Sequence, residues 1–203
     1  MSRWATGWEL SSNQGSPKLC RTPLIVESCE CVTPQRRRYL VLSIVSLVVV
    51  GLCLSLSSNL SSPAVAQSGG VTVAAAEKIV QLTNQVRAKN GLPALAALPP
   101  LNTAALGHSQ EMLELDYFSH TSPVTGKAGD RIKQAGVRWT ACAENIYRSE
   151  GYPIEEVAAE TVDAWVRSPG HYKNIIGPNY THIGVGVVYK NDEAVVTQVF
   201  ARL

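Results

Sequence analysis

Residues 182–200 read HIGVGVVYKNDEAVVTQVF, with a period of two on each side of the pair Asn191-Asp192. Ile183, Val185, Val187 and Tyr189 alternate with His182, Gly184, Gly186 and Val188, and Val195, Thr197 and Val199 alternate beyond the pair. Alternation puts every second side chain on one face of a strand, and Asn-Asp forms turns, so this segment predicts an antiparallel hairpin. Immediately upstream the period changes. Ile154, Val157, Ala158, Thr161, Ala164 and Trp165 recur every three to four residues after Pro153, which predicts a helix ended by Ser168-Pro169-Gly170. Its Glu155, Glu156, Glu160 and Asp163 fall on other faces and read as a solvated surface.

Further upstream, Ile79, Leu82 and Val86 predict a first helix over 75–89, stopped by Asn90-Gly91. Pro99-Pro100 opens a second over 100–115, with Leu101, Ala105, His108, Met112 and Leu115 on one face. Tyr117 to Pro123 is rich in turn formers and predicts a loop carrying His120. A short helix follows at 130–135, stopped by Gly136, then a brief extended segment over 143–147. Helices followed by a hairpin give an α+β domain, with helices packed on a small antiparallel sheet.

The N-terminal third has a different texture. Arg36, Arg37 and Arg38 precede the uncharged apolar run from Tyr39 to Leu56, and Ala64-Val65-Ala66 follows it. Basic, apolar and small-residue regions in that order predict an export signal over 36–66, cleaved after Ala66. The run exceeds the about 7–15 residues of a usual signal and approaches the roughly 20 that cross a bilayer, so an uncleaved membrane anchor is the alternative. Cys53 follows the bulky Leu52 and reads as part of the apolar run, not as a lipid-attachment site. Residues 1–35, with Trp4, Trp8, Cys20, Cys29 and Cys31, show no period; they fit a cytoplasmic tail or an upstream translation start equally. Residues 67–77 read as a linker, and 78–203 as the domain.

Cleavage changes the charge. Six of the 18 basic residues and three of the 16 acidic ones leave, so 12 basic and 13 acidic residues remain. A balanced charge offers no field for a phosphate backbone, which argues against nucleic acid as a partner. Of five cysteines only Cys142 stays, so the processed domain has no internal disulfide and depends on its core.

The chemistry-bearing side chains are His120, Glu144, His171 and His182, with Ser119, Ser168 and Cys142 as potential nucleophiles. There is no H-E-x-x-H, no G-x-S-x-G, no phosphate-cradling loop and no CxxC pair. His120 and His171 each lie in a polar turn beside Ser and Pro. Tyr117-Phe118-Ser119-His120, Ala143-Glu144-Asn145-Ile146, Trp165 to His171 and Ile183-Gly184-Val185-Gly186 resemble, in that order, the signatures of bacterial CAP proteins. That superfamily comprises cysteine-rich secretory, venom-antigen and pathogenesis-related proteins.

The resemblance, over about residues 78–201, implies a three-layer α-β-α sandwich. It also implies a cleft of two histidines and two acids that binds a divalent metal. Here the histidines are His120 and His171 and one acid is Glu144; the second acid's position, three after Trp165, is Ser168. Two imidazoles and one carboxylate, with water, form a set that Zn2+ accepts. Asn145 follows the cleft acid and fixes its loop, and Arg131 makes a structural ion pair. Read from the residues themselves, His108 is a hydrogen-bonded core residue, His182 surface, Cys142 an inert thiol, and Trp165 and Tyr117 core aromatics.

The function implied is an exported, non-catalytic binding domain for a small-molecule, lipid or cell-wall ligand, located in the periplasm, on the cell surface or in the medium. A membrane enters only through an uncleaved N-terminal segment. The alternative is a zinc-dependent hydrolase of cell-wall or peptide substrates with Glu144 as general base. A serine hydrolase using Ser119 or Ser168 is a third reading, without a recognisable oxyanion hole.

Overall fold

The structure is a computed structural model that describes residues 29–32 and 63–203. The apolar run over 39–56, the basic residues before it and most of the N-terminal extension lie outside the described residues. Among those described, no helix is long and apolar enough to cross a membrane.

The chain runs β1 (Cys29–Val32), α1 (Pro63–Lys89), β2 (Ala96–Ala97), α2 (Pro99–Glu114) and α3 (Ala128–Gln134). It continues through β3 (Ala141–Glu150), α4 (Ile154–Arg167), α5 (Pro169–Ile175), β4 (His182–Lys190) and β5 (Glu193–Arg202). The strands form one sheet in the order β1-β3-β5-β4-β2. The predicted hairpin is β4–β5, in register from Lys190↔Glu193 to His182↔Ala201 around Asn191 and Asp192, both with positive φ. Asn and Asp tolerate that left-handed region better than bulkier residues do.

Alternation sorts the helices into two outer layers. Ile183, Val185 and Val187 of β4 and Val196 and Phe200 of β5 face one way, into a core with Ile79 of α1, Trp165 of α4 and Ile175 of α5. Cys142, Val199 and Ala201 face the other way, against Leu101 and Ala105 of α2 and Ile132 of α3. Met112, Ile146 and Val195 extend this second core. The result is the expected α-β-α sandwich, with the sheet buried on both faces.

Two residue types make the layers close. Gly184 and Gly186 point at α2, where a Cβ on either would overlap the backbone of Leu101 and Asn102 or of Ala105 and Leu106. Only glycine lets that helix lie so near the strand. On the opposite layer Arg87, fully buried at the end of α1, donates to the carbonyls of Pro93 (3.0 Å), Ile175 (2.8 Å) and Gly177 (2.8 Å). One guanidinium thereby satisfies the carbonyls at the end of α5 and joins it to α1.

Four expectations are corrected. The first helix starts at Pro63, not 75, and runs through the segment read as a linker; helical hydrogen bonding carries Gly69-Gly70 despite their low propensity. The sheet is mixed, because the short β2 pairs parallel to β4. The brief extended segment is a ten-residue strand, since both faces of β3 are covered and alternation no longer marks it. Pro169 does not only end a helix but opens α5, the first helical position being where a missing N–H costs nothing, so His171 lies on the buried face of a helix and not in a turn.

A further correction concerns Cys142. It is disulfide-bonded, not an inert thiol. The residue opposite it in the β1–β3 register is Cys31. The expectation of a lone thiol holds only for a chain that has lost residues 29–32.

Candidate functional site

Consecutive residues of β3 point to opposite faces of the sheet, and this places Glu144 and Asn145 in different layers. Glu144 is fully buried towards α2 and α3. One oxygen accepts from His120 Nδ1 at 2.9 Å and the other from Arg131 Nη2 at 2.6 Å. Burial pushes its pKa up, but the His120 hydrogen bond and the Arg131 guanidinium outweigh that and hold the carboxyl below its ordinary range. Glu144 is therefore ionised at neutral pH, with both oxygens engaged.

A carboxylate only accepts hydrogen bonds, so His120 Nδ1 carries the proton. In the ring's neutral form Nε2 then carries a lone pair, and this buried nitrogen has no hydrogen-bond partner among the described residues. The loop around His120 is fixed from several sides. Arg131 donates to the carbonyls of Gly126 (2.6 Å) and His120 (3.3 Å), and Ser119 Oγ accepts from Thr121 N at 3.1 Å.

The second half lies across β3. His171 Nδ1 is 2.7 Å from Ser168 Oγ. Asn145 donates to the His171 carbonyl at 3.2 Å and to Gln198 Oε1 at 3.0 Å, and accepts from Asn174 at 2.9 Å. Gln198 passes the chain on to Thr83 of α1 at 2.8 Å. Asn145 thus fixes α5 to the sheet, not a loop of its own. Glu144 and Asn145, adjacent on β3, link the two halves.

These halves carry three of the four motifs that the sequence places in order, the fourth lying on β4, and a family model described as the cysteine-rich secretory protein family, CAP, matches residues 80–200. The chain belongs to that family. This CAP chain is 39% identical over 134 residues to the uncharacterized protein YkwD of Bacillus subtilis strain 168, covering 63% of this chain and 50% of that protein. The uncharacterized membrane protein YlbC of the same organism is 38% identical over 126 residues, covering 62% and 34%. The chain therefore spans half or less of the length of these relatives.

Among solved structures, an extracellular protein containing a SCP domain from Bacillus anthracis str. Ames aligns with a TM-score of 0.60 at 33% identity, over 72% of this chain and 45% of that one. An outer surface protein from Borrelia burgdorferi shares the fold, with a TM-score of 0.56 at 19% identity over 64% of this chain and 94% of that one.

The divalent metal implied by the CAP resemblance fits this site only in part. His120 Nε2 is a buried lone pair of the correct type. Glu144, however, orients that imidazole instead of standing free as a ligand. Among the described residues no three His, Cys, Asp or Glu side chains gather closely enough to hold a metal ion. The donors that remain are imidazoles, one short of the three protein ligands of a catalytic zinc centre.

Two residues of α2, His108 and Glu111, also border the site. His108 is a hydrogen-bonded core residue as expected, yet its Nε2 lies 3.8 Å from Glu144 Oε1. Burial lowers its pKa to about 4 against the pull of Glu144, so at neutral pH it is uncharged, makes no ion pair, and donates to the Ser119 carbonyl at 3.0 Å. Glu111, one turn along α2, was not singled out. Its carboxylate accepts from Ser122, from Tyr117 (2.9 Å) and from Thr125 (2.9 Å), and anchors the His120 loop at its far end. The spacing of His108 and Glu111, three apart on one helix, is the signal that marks both for the same side. Tyr117 is more than a core aromatic: burial raises its pKa to about 12, so its hydroxyl stays protonated and donates to Glu111. Arg131 makes the ion pair expected of it. His182 opens β4 half-buried, bonded to Thr181.

Proposed function

We propose that the chain is an exported, non-catalytic binding protein that takes its ligand at His120. The observation carrying this reading is the imidazole held through Nδ1 by an ionised, buried Glu144, with Nε2 left unpartnered. Buried polar atoms normally have partners, so this lone pair fits a hydroxyl or amide donor of a small or cell-wall molecule, or a metal ion. A lipid with a donor headgroup meets the same requirement. Export is supported by the basic and apolar segment ahead of the domain and by relatives described as extracellular and outer-surface proteins.

The zinc-hydrolase reading needs Glu144 as a base. A carboxylate with a lowered pKa, both oxygens occupied and no exposure is poorly placed for that role. The Ser168–His171 hydrogen bond is a contact that a serine hydrolase needs, but the carboxylate in the site orients the other imidazole.

Zinc is a convenient probe of the lone pair. Calorimetric titration into the chain is expected to give a binding component that is absent in a folded His120→Ala variant. Identical titrations of the two proteins would refute His120 as the ligand-binding group. Turnover of cell-wall or peptide substrates that is lost in a Glu144→Gln variant shown to be folded at the assay temperature would favour the hydrolase instead.

A further inference from the structure

A groove lies at the β4 side of the sheet, lined by none of the residues around His120. The short β2 covers β4 only at His182 and Ile183, so among the described residues the rest of that strand's outer edge has no neighbouring strand. Helices α1 and α2 pass this edge on opposite faces and leave a groove of about 400 Å³ between them. That volume lies within the roughly 300–1,000 Å³ range of small-ligand pockets.

The floor is Val185 and Val187, each 3% exposed. Ala76 and Val80 form one wall, and at the mouth stand Val73, 58% exposed, and Leu106, 38% exposed. The α2 wall is fixed, because Gly186 already touches the backbone of Leu106. At the rim is Glu77, an exposed carboxylate that makes no ion pair among the described residues. Asn102 also lines the groove; its Oδ1 accepts from Val185 N at 3.0 Å, which leaves its amide N–H groups as donors.

We propose that this groove binds a single-chain aliphatic amine, its hydrocarbon tail lying on Val185, Val187 and Leu106 and its ammonium group at Glu77. Apolar walls open to water gain from covering by a chain of methylenes. The unpaired acid at the rim selects a cationic head over an anionic one, and it keeps that head near water where desolvation is small.

The test is a series of hexylamine, octylamine and decylamine, with decanoate as the anionic counterpart, titrated below their aggregation concentrations into the full chain. Affinity is expected to rise about fourfold per added methylene until the groove is filled. Decylamine is expected to bind several-fold more tightly than decanoate. Glu77→Lys, a change at an exposed position, reverses that preference while keeping the dependence on chain length. Leu106→Gln, at the mouth, weakens every amine. An absence of binding, a flat chain-length series, a head preference unchanged by Glu77→Lys, or affinity unchanged by Leu106→Gln would each overturn the proposal.

Discussion

Replacing Glu144 by Gln tests the claim that this carboxylate is structural as well as positional. Arg131 is 4% exposed and Glu144 0%, and they meet at 2.6 Å, so neither charge has water as an alternative partner. Removing one partner of such a buried pair costs about 3–5 kcal/mol, mostly because the remaining charge is stranded. For a domain of this size that corresponds to a melting point lowered by roughly 10 °C or more. Urea denaturation of the single variants and of Glu144→Gln with Arg131→Met forms a double-mutant cycle. The double variant is expected to lose less than the two single losses combined, because it strands no charge. The same pair sets an acid dependence. Since the folded-state pKa of Glu144 is lowered, its contribution is complete above the unfolded carboxyl pKa, about 4.3, and is lost as pH falls through the lower folded value. Strict additivity in the cycle, or a cost under about 1 kcal/mol for Glu144→Gln, would refute the reasoning.

Three other positions carry predictions. Arg87→Met leaves the carbonyls of Pro93, Ile175 and Gly177 without their donor and is expected to cost about 3 kcal/mol, read as a lower urea midpoint at constant slope. Gly186→Ala drives a Cβ into the Leu106 backbone and is expected to cost about 3 kcal/mol, whereas Gly107→Ala, with open space around it, is expected to cost nothing. His108 should keep its neutral NMR signature from pH 8 to pH 5 and titrate near 4; because the unfolded chain takes up this proton near 6.5, stability falls as pH drops through that window, and His108→Gln flattens the fall.

Much of the fold is legible where one face of an element meets water or where a turn residue marks a boundary. The β4–β5 hairpin follows from Ile183, Val185 and Val187 with Asn191-Asp192, and α4 from Val157, Thr161 and Trp165. Strand β3 is hidden because Ala143 and Cys142 are buried on opposite faces, so no polar face advertises the period. The mixed pairing of β2 rests on two alanines, which carry no pattern at all. In the site, His120 and Glu144 are visible as a loop histidine and an isolated acid beside an amide. Their meeting depends on a 24-residue separation that no local period encodes. The anchoring acid Glu111 is concealed by its place on a helix, where an acid ordinarily faces solvent. Its partners Ser122 and Thr125 arrive from the following loop.

The proposed function depends most on the tautomer of His120. Long-range nitrogen–proton NMR of the 15N-labelled chain at neutral pH reads it directly, with His120→Ala assigning the signals. A protonated Nδ1 and an unprotonated Nε2 that shifts on adding zinc are the predicted result. A proton on Nε2 of the neutral ring, or signals that zinc leaves unmoved, would contradict a binding site built on that lone pair.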